Sequence, residues 1–147
     1  QAICLRTDSK YNITSPETLV GRRVGYQAET TSDFFLEKRK EKGLSFIAAE
    51  YDKVLNAFDD LKLGRVDAVV SDYLVAVSYL NKPDTVYKCV WVGTADEYFG
   101  PCVKKGNTVL IEKINAALEE MKADGTLKSI YEKIFGMDLS HTIENVQ

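Results

Sequence analysis

Val24-Gly25-Tyr26-Gln27-Ala28-Glu29-Thr30-Thr31-Ser32-Asp33 and Gly64-Arg65-Val66-Asp67-Ala68-Val69-Val70-Ser71-Asp72 decide the fold. Each stretch is a short apolar run that turns polar just where a helix should start. The first ends in hydroxyls at a helix N-terminus, where free amides and the helix dipole favour an anion. The second ends in a carboxylate, which suits a cation. If the two strands are neighbours, their ends frame a pocket for a zwitterion, and the commonest small zwitterion is an amino acid.

Working outward, Ser15-Pro16-Glu17 opens a helical turn, with Ser15 as N-cap and Pro16 at the first helical position. The run Val24–Gln27 is a first strand. Thr30 or Thr31 caps a helix that stops at Gly43. Phe46–Ala49 is a second strand. Asp52 is expected to cap a helix carrying Val54, Leu55, Phe58 and Leu61 at helical spacing. Val66–Val70 is a third strand, Asp72 begins a helix to about Leu80, and Tyr87–Val92 is a fourth strand. Strand and helix thus alternate, with buried rather than alternating strands, which predicts an α/β fold with a parallel sheet covered on both faces. The N-terminal run Ala2–Arg6 is also strand-like.

The last third reads differently. Tyr98–Lys104 is expected to be a strand with Pro101 inside it. Asn107 caps a helix with Leu110, Ile114, Ala117 and Met121 on one face. Asp124-Gly125 breaks it, and Leu127, Ile130, Tyr131, Ile134 and Phe135 follow the full helical template of a second helix. Gly136 ends that helix, and residues 137–147 have no clear period.

Bulk properties exclude several classes. The 147 residues suffice for one ordinary domain, able to bury roughly two-thirds of its unfolded surface. Apolar content of 45% and charged content of 28% are globular values. A net charge of −3, with both signs interspersed, offers no basic face for nucleic acid. No run reaches the roughly 18 apolar residues of a membrane helix, and no leader segment is read at the start. Cys4, Cys89 and Cys102 form no CxxC pair and His141 is the one histidine, so no metal site is expected. All three cysteines lie in apolar strand-like runs and are expected to pack as small hydrophobes.

Phosphate-loop and dinucleotide signatures are absent from the first strand–helix turn. A single histidine in the tail leaves no Ser–His–Asp or Cys–His constellation, so no catalytic residue and no cofactor is expected. What remains is the pair of turns. In an open sheet, ligands sit beyond the carboxyl ends of strands where strand order reverses. The first and third strands flank that point in a 2-1-3 order. Thr30, Thr31, Ser32 and Asp72 would then face one crevice, with Gln27 and Ser71 at the strand tips lining it. Taken singly, each of these turns also reads as a helix cap.

Several of these segments, in order, resemble the polar amino-acid-binding proteins of ABC importers, the extracytoplasmic solute-binding proteins of family 3. They are Ser15–Gly25, Gln27–Ser32, Asp60–Asp72, Glu97–Gly100 with Lys104–Asn107, and Asn115–Gly136 with its Ala123-Asp124-Gly125-Thr126 and Ile130–Gly136 signatures. The likeness runs from about residue 1 to 138. It implies a periplasmic-binding-protein-like lobe whose mostly parallel sheet has the order 2-1-3-n-4, n being the N-terminal strand. A C-terminal strand and two helices would follow. It implies residues 1–97 as the second ligand-binding lobe, 98–138 as the second crossing strand and helices that return to lobe one, and 139–147 as a tail. By the same resemblance Thr31 would give its amide and hydroxyl to a ligand α-carboxylate, with Thr30 and Ser32 in support. Asp72 would accept from the α-ammonium, and Gln27 and Ser71 would touch the ammonium or the side chain. Glu29 departs from the usual glycine, and a side chain there calls for an ordinary backbone conformation.

The first half-lobe and its carboxylate-pairing arginine have no counterpart here, so the chain reads as a truncated form. The resemblance implies a free amino acid and a membrane permease as partners, outside the cytoplasm in the periplasm or lipid-anchored at the cell surface. It implies no nucleic acid and no metal. Unpartnered in this form, residues 98–135 are expected to pair two copies in a homodimer, the alternative being that the helices fold back onto lobe two and the strand joins its sheet. An amino-acid-sensing receptor lobe, or a dehydratase on the same fold, would share these motifs.

Overall fold

The structure is a computed structural model that describes residues 1–94 and 99–142. The chain divides into two compact units, Gln1–Ala95 and Asp96–Gln147. In the first, the elements run β1 (Ala2–Arg6), a 3-10 turn (Pro16–Leu19), β2 (Arg23–Gln27), α1 (Thr31–Glu41), β3 (Ile47–Tyr51), α2 (Val54–Lys62), β4 (Ala68–Ser71), α3 (Tyr73–Leu80) and β5 (Tyr87–Val92). The five strands form one sheet in the order β3-β2-β4-β1-β5. This is the 2-1-3-n-4 order that the family resemblance implies. β2 lies parallel to both neighbours, β3 and β4. β1 is antiparallel to β4 and β5, so four strands run one way and β1 alone runs back.

Alternation along the central strands builds two cores. Ile3, Leu5, Val24, Tyr26, Ala68 and Val70 meet Leu36 of α1 and Leu19 of the 3-10 turn on one face. Cys4, Val66 and Val69 meet Ala57, Phe58 and Leu61 of α2 and Ala76 of α3 on the other. α1 therefore covers one face, and α2 and α3 cover the opposite one. On that second face Phe58 stacks on Tyr79 with ring centroids 3.9 Å apart and meets the Tyr87 ring edge-on at 5.2 Å. The Tyr87 hydroxyl donates to the Phe58 carbonyl at 2.9 Å, which ties α2 to β5. Gly25 packs closely here: a Cβ on it would come to 3.3 Å from the Tyr51 ring and 3.4 Å from Val66.

Four expectations are corrected. β3 is an edge strand with a largely exposed pattern, so it is not buried on both faces, and it runs to Tyr51 rather than stopping at Ala49. The N-cap of α2 is Lys53, not Asp52, because the helix starts one residue later than a cap at 52 would place it. Glu29 keeps a left-handed backbone, φ +58°, rather than an ordinary one. Cys102 is exposed and outside any strand, whereas Cys4 is buried and Cys89 half-buried.

The second unit holds α4 (Thr108–Ala123) and α5 (Thr126–Phe135), followed by a 3-10 turn at Ser140–Thr142. Asn107 caps α4 through its side chain, accepting from the Leu110 amide at 3.3 Å. Gly125, at φ +81°, makes the left-handed turn between the helices, and Gly136 closes α5 in the same conformation. The strand expected over Tyr98–Lys104 does not form across residues 99–104; Tyr98 lies outside the described residues. A strand needs a ladder partner for its amides and carbonyls, and this unit has no strand among its described residues. No described helix is long and apolar enough to cross a membrane.

Candidate functional site

Parallel pairing of β2 with β4, Val24 opposite Ala68 and Gly25 opposite Val69, puts the carboxyl ends of both strands at one edge of the sheet. Their chains then leave toward opposite faces, β2 into α1 and β4 into α3. That divergence between adjacent strand tips marks the place where open α/β sheets take ligands.

The β2–α1 turn is pinned at several points. The Ala28 amide donates to the Tyr51 carbonyl at 3.0 Å, and the Glu29 amide to Asp33 Oδ2 at 3.0 Å. Thr30 is the N-cap of α1, yet its side chain does not cap. Its hydroxyl turns back and donates to the Gln27 carbonyl at 2.7 Å. These bonds hold Glu29 in a region of backbone space that costs an ordinary residue about 1–2 kcal/mol.

Thr31 and Ser32 share a partner that sequence reasoning missed. Gln1 Nε2 donates to the Thr31 hydroxyl oxygen at 3.0 Å, and the Ser32 hydroxyl donates to Gln1 Oε1 at 2.6 Å. Gln1 and Ser32 are both buried. Because β1 is antiparallel, its first residue reaches the carboxyl edge of the other strands. Ala2 pairs with Ser71, so Gln1 stands one register step further out, alongside Asp72. The Gln1 carbonyl also accepts from the Gly93 amide at 2.8 Å. One buried amide side chain thus bridges from the edge of β4 to the start of α1. The single signal for it in the sequence is the strand-like run immediately after residue 1.

On the β4 side Ser71 is buried, and its hydroxyl donates to the Asp72 carbonyl at 3.1 Å. Asp72 is the N-cap of α3. Its Oδ1 accepts from the amides of Leu74 at 2.8 Å and Val75 at 3.4 Å. Capping engages one oxygen, so the half-exposed carboxylate can still accept from a cation through the other. Gln27 turns away from β4: its Nε2 donates to the Asp52 carbonyl at 3.1 Å, joining the β2 tip to the loop before α2. Thr31 and Ser32 are therefore bonded to Gln1, Ser71 and Asp72 lie at the tip of β4 that β1 pairs with, and Thr30 and Gln27 are bonded into the β2 end.

The first unit is thus an α/β sheet in which a helix start lies at the same sheet edge as a carboxylate-bearing strand tip. The profile of the bacterial extracellular solute-binding proteins, family 3, matches residues 1–137, and the chain belongs to that family. It is 36% identical over 139 residues to the putative ABC transporter arginine-binding protein 2 of Escherichia coli, covering 91% of this chain and 55% of that protein. It is 30% identical over 128 residues to the L-cystine-binding protein TcyJ of Escherichia coli, covering 87% and 47%. An ancestral arginine-binding protein bound to glutamine superposes with a TM-score of 0.73 at 43% identity, over 92% of this chain and 59% of that one. The chain spans about half the length of the curated relatives it matches.

Proposed function

We propose that this chain is the second lobe, with the segment returning to the first, of a protein that binds a free amino acid outside the cytoplasm and passes it to the permease of an ABC importer. Residues 1–97 form the lobe, 98–138 carry the chain back, and 139–147 are a tail. The observation that carries this reading is the buried Gln1 amide, which links the Thr31–Ser32 helix start to the strand edge bearing Asp72. In this arrangement the start of α1, whose capping place the Thr30 side chain does not fill, receives the ligand carboxylate. Asp72 receives the ammonium while still capping α3. Ser32 acts through Gln1 rather than on the ligand, because its hydroxyl is already given to that amide. The names of the relatives, which bind arginine, cystine and glutamine, support an amino acid as the ligand class.

Two titrations test this. In the full-length parent, Asp72→Asn removes a charge-assisted partner and weakens amino-acid binding by about 1.5–3 kcal/mol while the thermal transition changes little. An unchanged affinity would reduce Asp72 to a helix cap. The isolated chain, with half of the clamp, binds each of the twenty amino acids only at about millimolar concentration or weaker. A micromolar constant by calorimetry would overturn the two-lobe reading. The apolar side chains that α4 and α5 leave exposed, Val109, Leu110, Ile130 and Ile134, belong on this reading against the first lobe. In the isolated chain they pair two copies, a state that light scattering over a concentration series detects.

A further inference from the structure

Cys4 and Cys89 stand directly opposite each other on the antiparallel strands β1 and β5. Directly opposed residues on such strands have Cα atoms about 4.5–5.5 Å apart, within the span a disulfide bridges. Both side chains lie on the face covered by α2 and α3, Cys4 within the core and Cys89 at its margin. The pair also sits where the β1–β5 ladder slips. Ile3 is opposite Trp91 while Cys4 is opposite Cys89, so Val90 is the extra residue of a bulge. A bulge bends its strand and re-aims the neighbouring side chains. The Cys89 thiol donates to the Trp91 carbonyl across it, at 3.3 Å.

We propose that Cys4 and Cys89 are a redox site that closes to a cross-strand disulfide by exchange with a small-molecule disulfide. The half-buried Cys89 starts the exchange, because Cys4 has no exposed surface. The Cys4 thiol beside it lowers the Cys89 thiol to about 7, whereas Cys89, and burial second, push Cys4 far up. Cys89 loses its proton and its sulfur attacks the external S–S bond. That bond breaks, a Cys89 mixed disulfide forms, and the departing thiolate takes up a proton. Cys4 then attacks Cys89 Sγ, the bond from Cys89 to the external sulfur breaks, and the Cys4 proton passes to the departing thiolate. Two cysteine thiols are oxidised and one external disulfide is reduced to two thiols.

The closed bond would fasten β1 to β5 behind the candidate site. The ends of these same strands meet there, where the Gly93 amide donates to the Gln1 carbonyl. Oxidation would therefore fix the strand that places Gln1 under Thr31 and Ser32.

Trypsin releases Cys4 in Gln1–Arg6 but leaves Cys89 and Cys102 together in one peptide, so the test uses a Cys102→Ser background. The folded chain is equilibrated in mixed reduced and oxidised glutathione, acid-quenched, unfolded, alkylated and mapped by mass spectrometry. The expected product is Gln1–Arg6 joined to the peptide beginning at Cys89, released by reductant and absent when Cys4→Ser is added. The closure constant should be at least about tenfold larger for the folded chain than for the urea-unfolded one, since a bond favoured by the fold stabilises the fold in return. Two alkylated cysteines at equilibrium, a glutathione adduct on Cys89 as the end product, or equal closure constants would overturn the proposal.

Discussion

The two units of this chain bury their apolar side chains very differently. Among the described residues every fully buried large side chain lies in the first unit, where Tyr26, Phe58, Ile3, Leu5 and Leu36 close two cores around one sheet. In the second unit Leu127 is the one apolar residue buried among those described. The 16 residues of α4 bury none of their own. Helix periodicity is equally clear in both, so periodicity reports that a helix has an apolar face, not that the face is covered. Stability should accordingly reside in the first unit, and the second should respond weakly to truncation of its apolar side chains.

The sharpest way to break this contrast is a pair of truncations. Phe58→Ala removes a fully buried ring together with its contacts to Tyr79 and Tyr87, and should cost about 3–5 kcal/mol. Ile134→Ala, at a side chain 54% exposed, should change stability by less than about 0.5 kcal/mol. Urea denaturation followed by circular dichroism measures both. Comparable losses would mean that the second unit contributes a core of its own.

A smaller effect probes the base of β4. Asp67 accepts from the Arg23 amide at 2.8 Å and from its guanidinium at 2.9 Å. Burial pushes the Asp67 carboxyl up, but Arg23 more than offsets this and holds it below the usual carboxylate range. A carboxyl depressed in the folded state contributes stability that is fully present above its unfolded pKa of about 3.9. That contribution is lost as pH falls through the lower folded value. Asp67→Asn should therefore cost about 1–2 kcal/mol at pH 7. The gap between the two proteins should narrow only below about pH 4. A gap that stays constant through acid would show that packing rather than charge sets it.

The smallest expected effect is a gain. Glu29→Gly relieves the left-handed backbone at φ +58° while adding chain entropy to the unfolded state. The balance should raise stability by about 0.5–1 kcal/mol. A loss in thermal melts would mean that the Glu29 side chain supports the turn through a contact of its own.

These positions also mark how far the sequence could be read. The order of β3, β2 and β4 was legible because they are short runs between clear breakers and right-handed crossovers leave few arrangements, whereas the places of β1 and β5 came only with the family resemblance. Asp72 was legible as the residue between β4 and α3 because a cap's place is local chemistry. Gln1 was not, since its role depends on an antiparallel neighbour pairing with a strand some seventy positions away. Glu29 was misjudged because residue preference is a local average, whereas Asp33, Thr30 and Tyr51 hold the turn from outside it. Across residues 99–104 the expected strand failed for the same kind of reason. Its residues have strand character, but a strand exists only with a partner.

The backward run of β1 has a consequence for how the molecule assembles. Ala2 pairs with Ser71 on one side and Val92 on the other, so β1 precedes both of its partners in the chain. During synthesis its apolar run emerges ahead of both and must wait until β4 and β5 have been made. β2 and β3, by contrast, are joined through a single helix and can associate early. Long-range pairings of this kind slow folding and leave intermediates with an unfilled slot in the sheet. A nascent chain halted before β5 would hold β1 without one of its neighbours, and that open slot is where a chaperone or a second unfinished chain would first take hold.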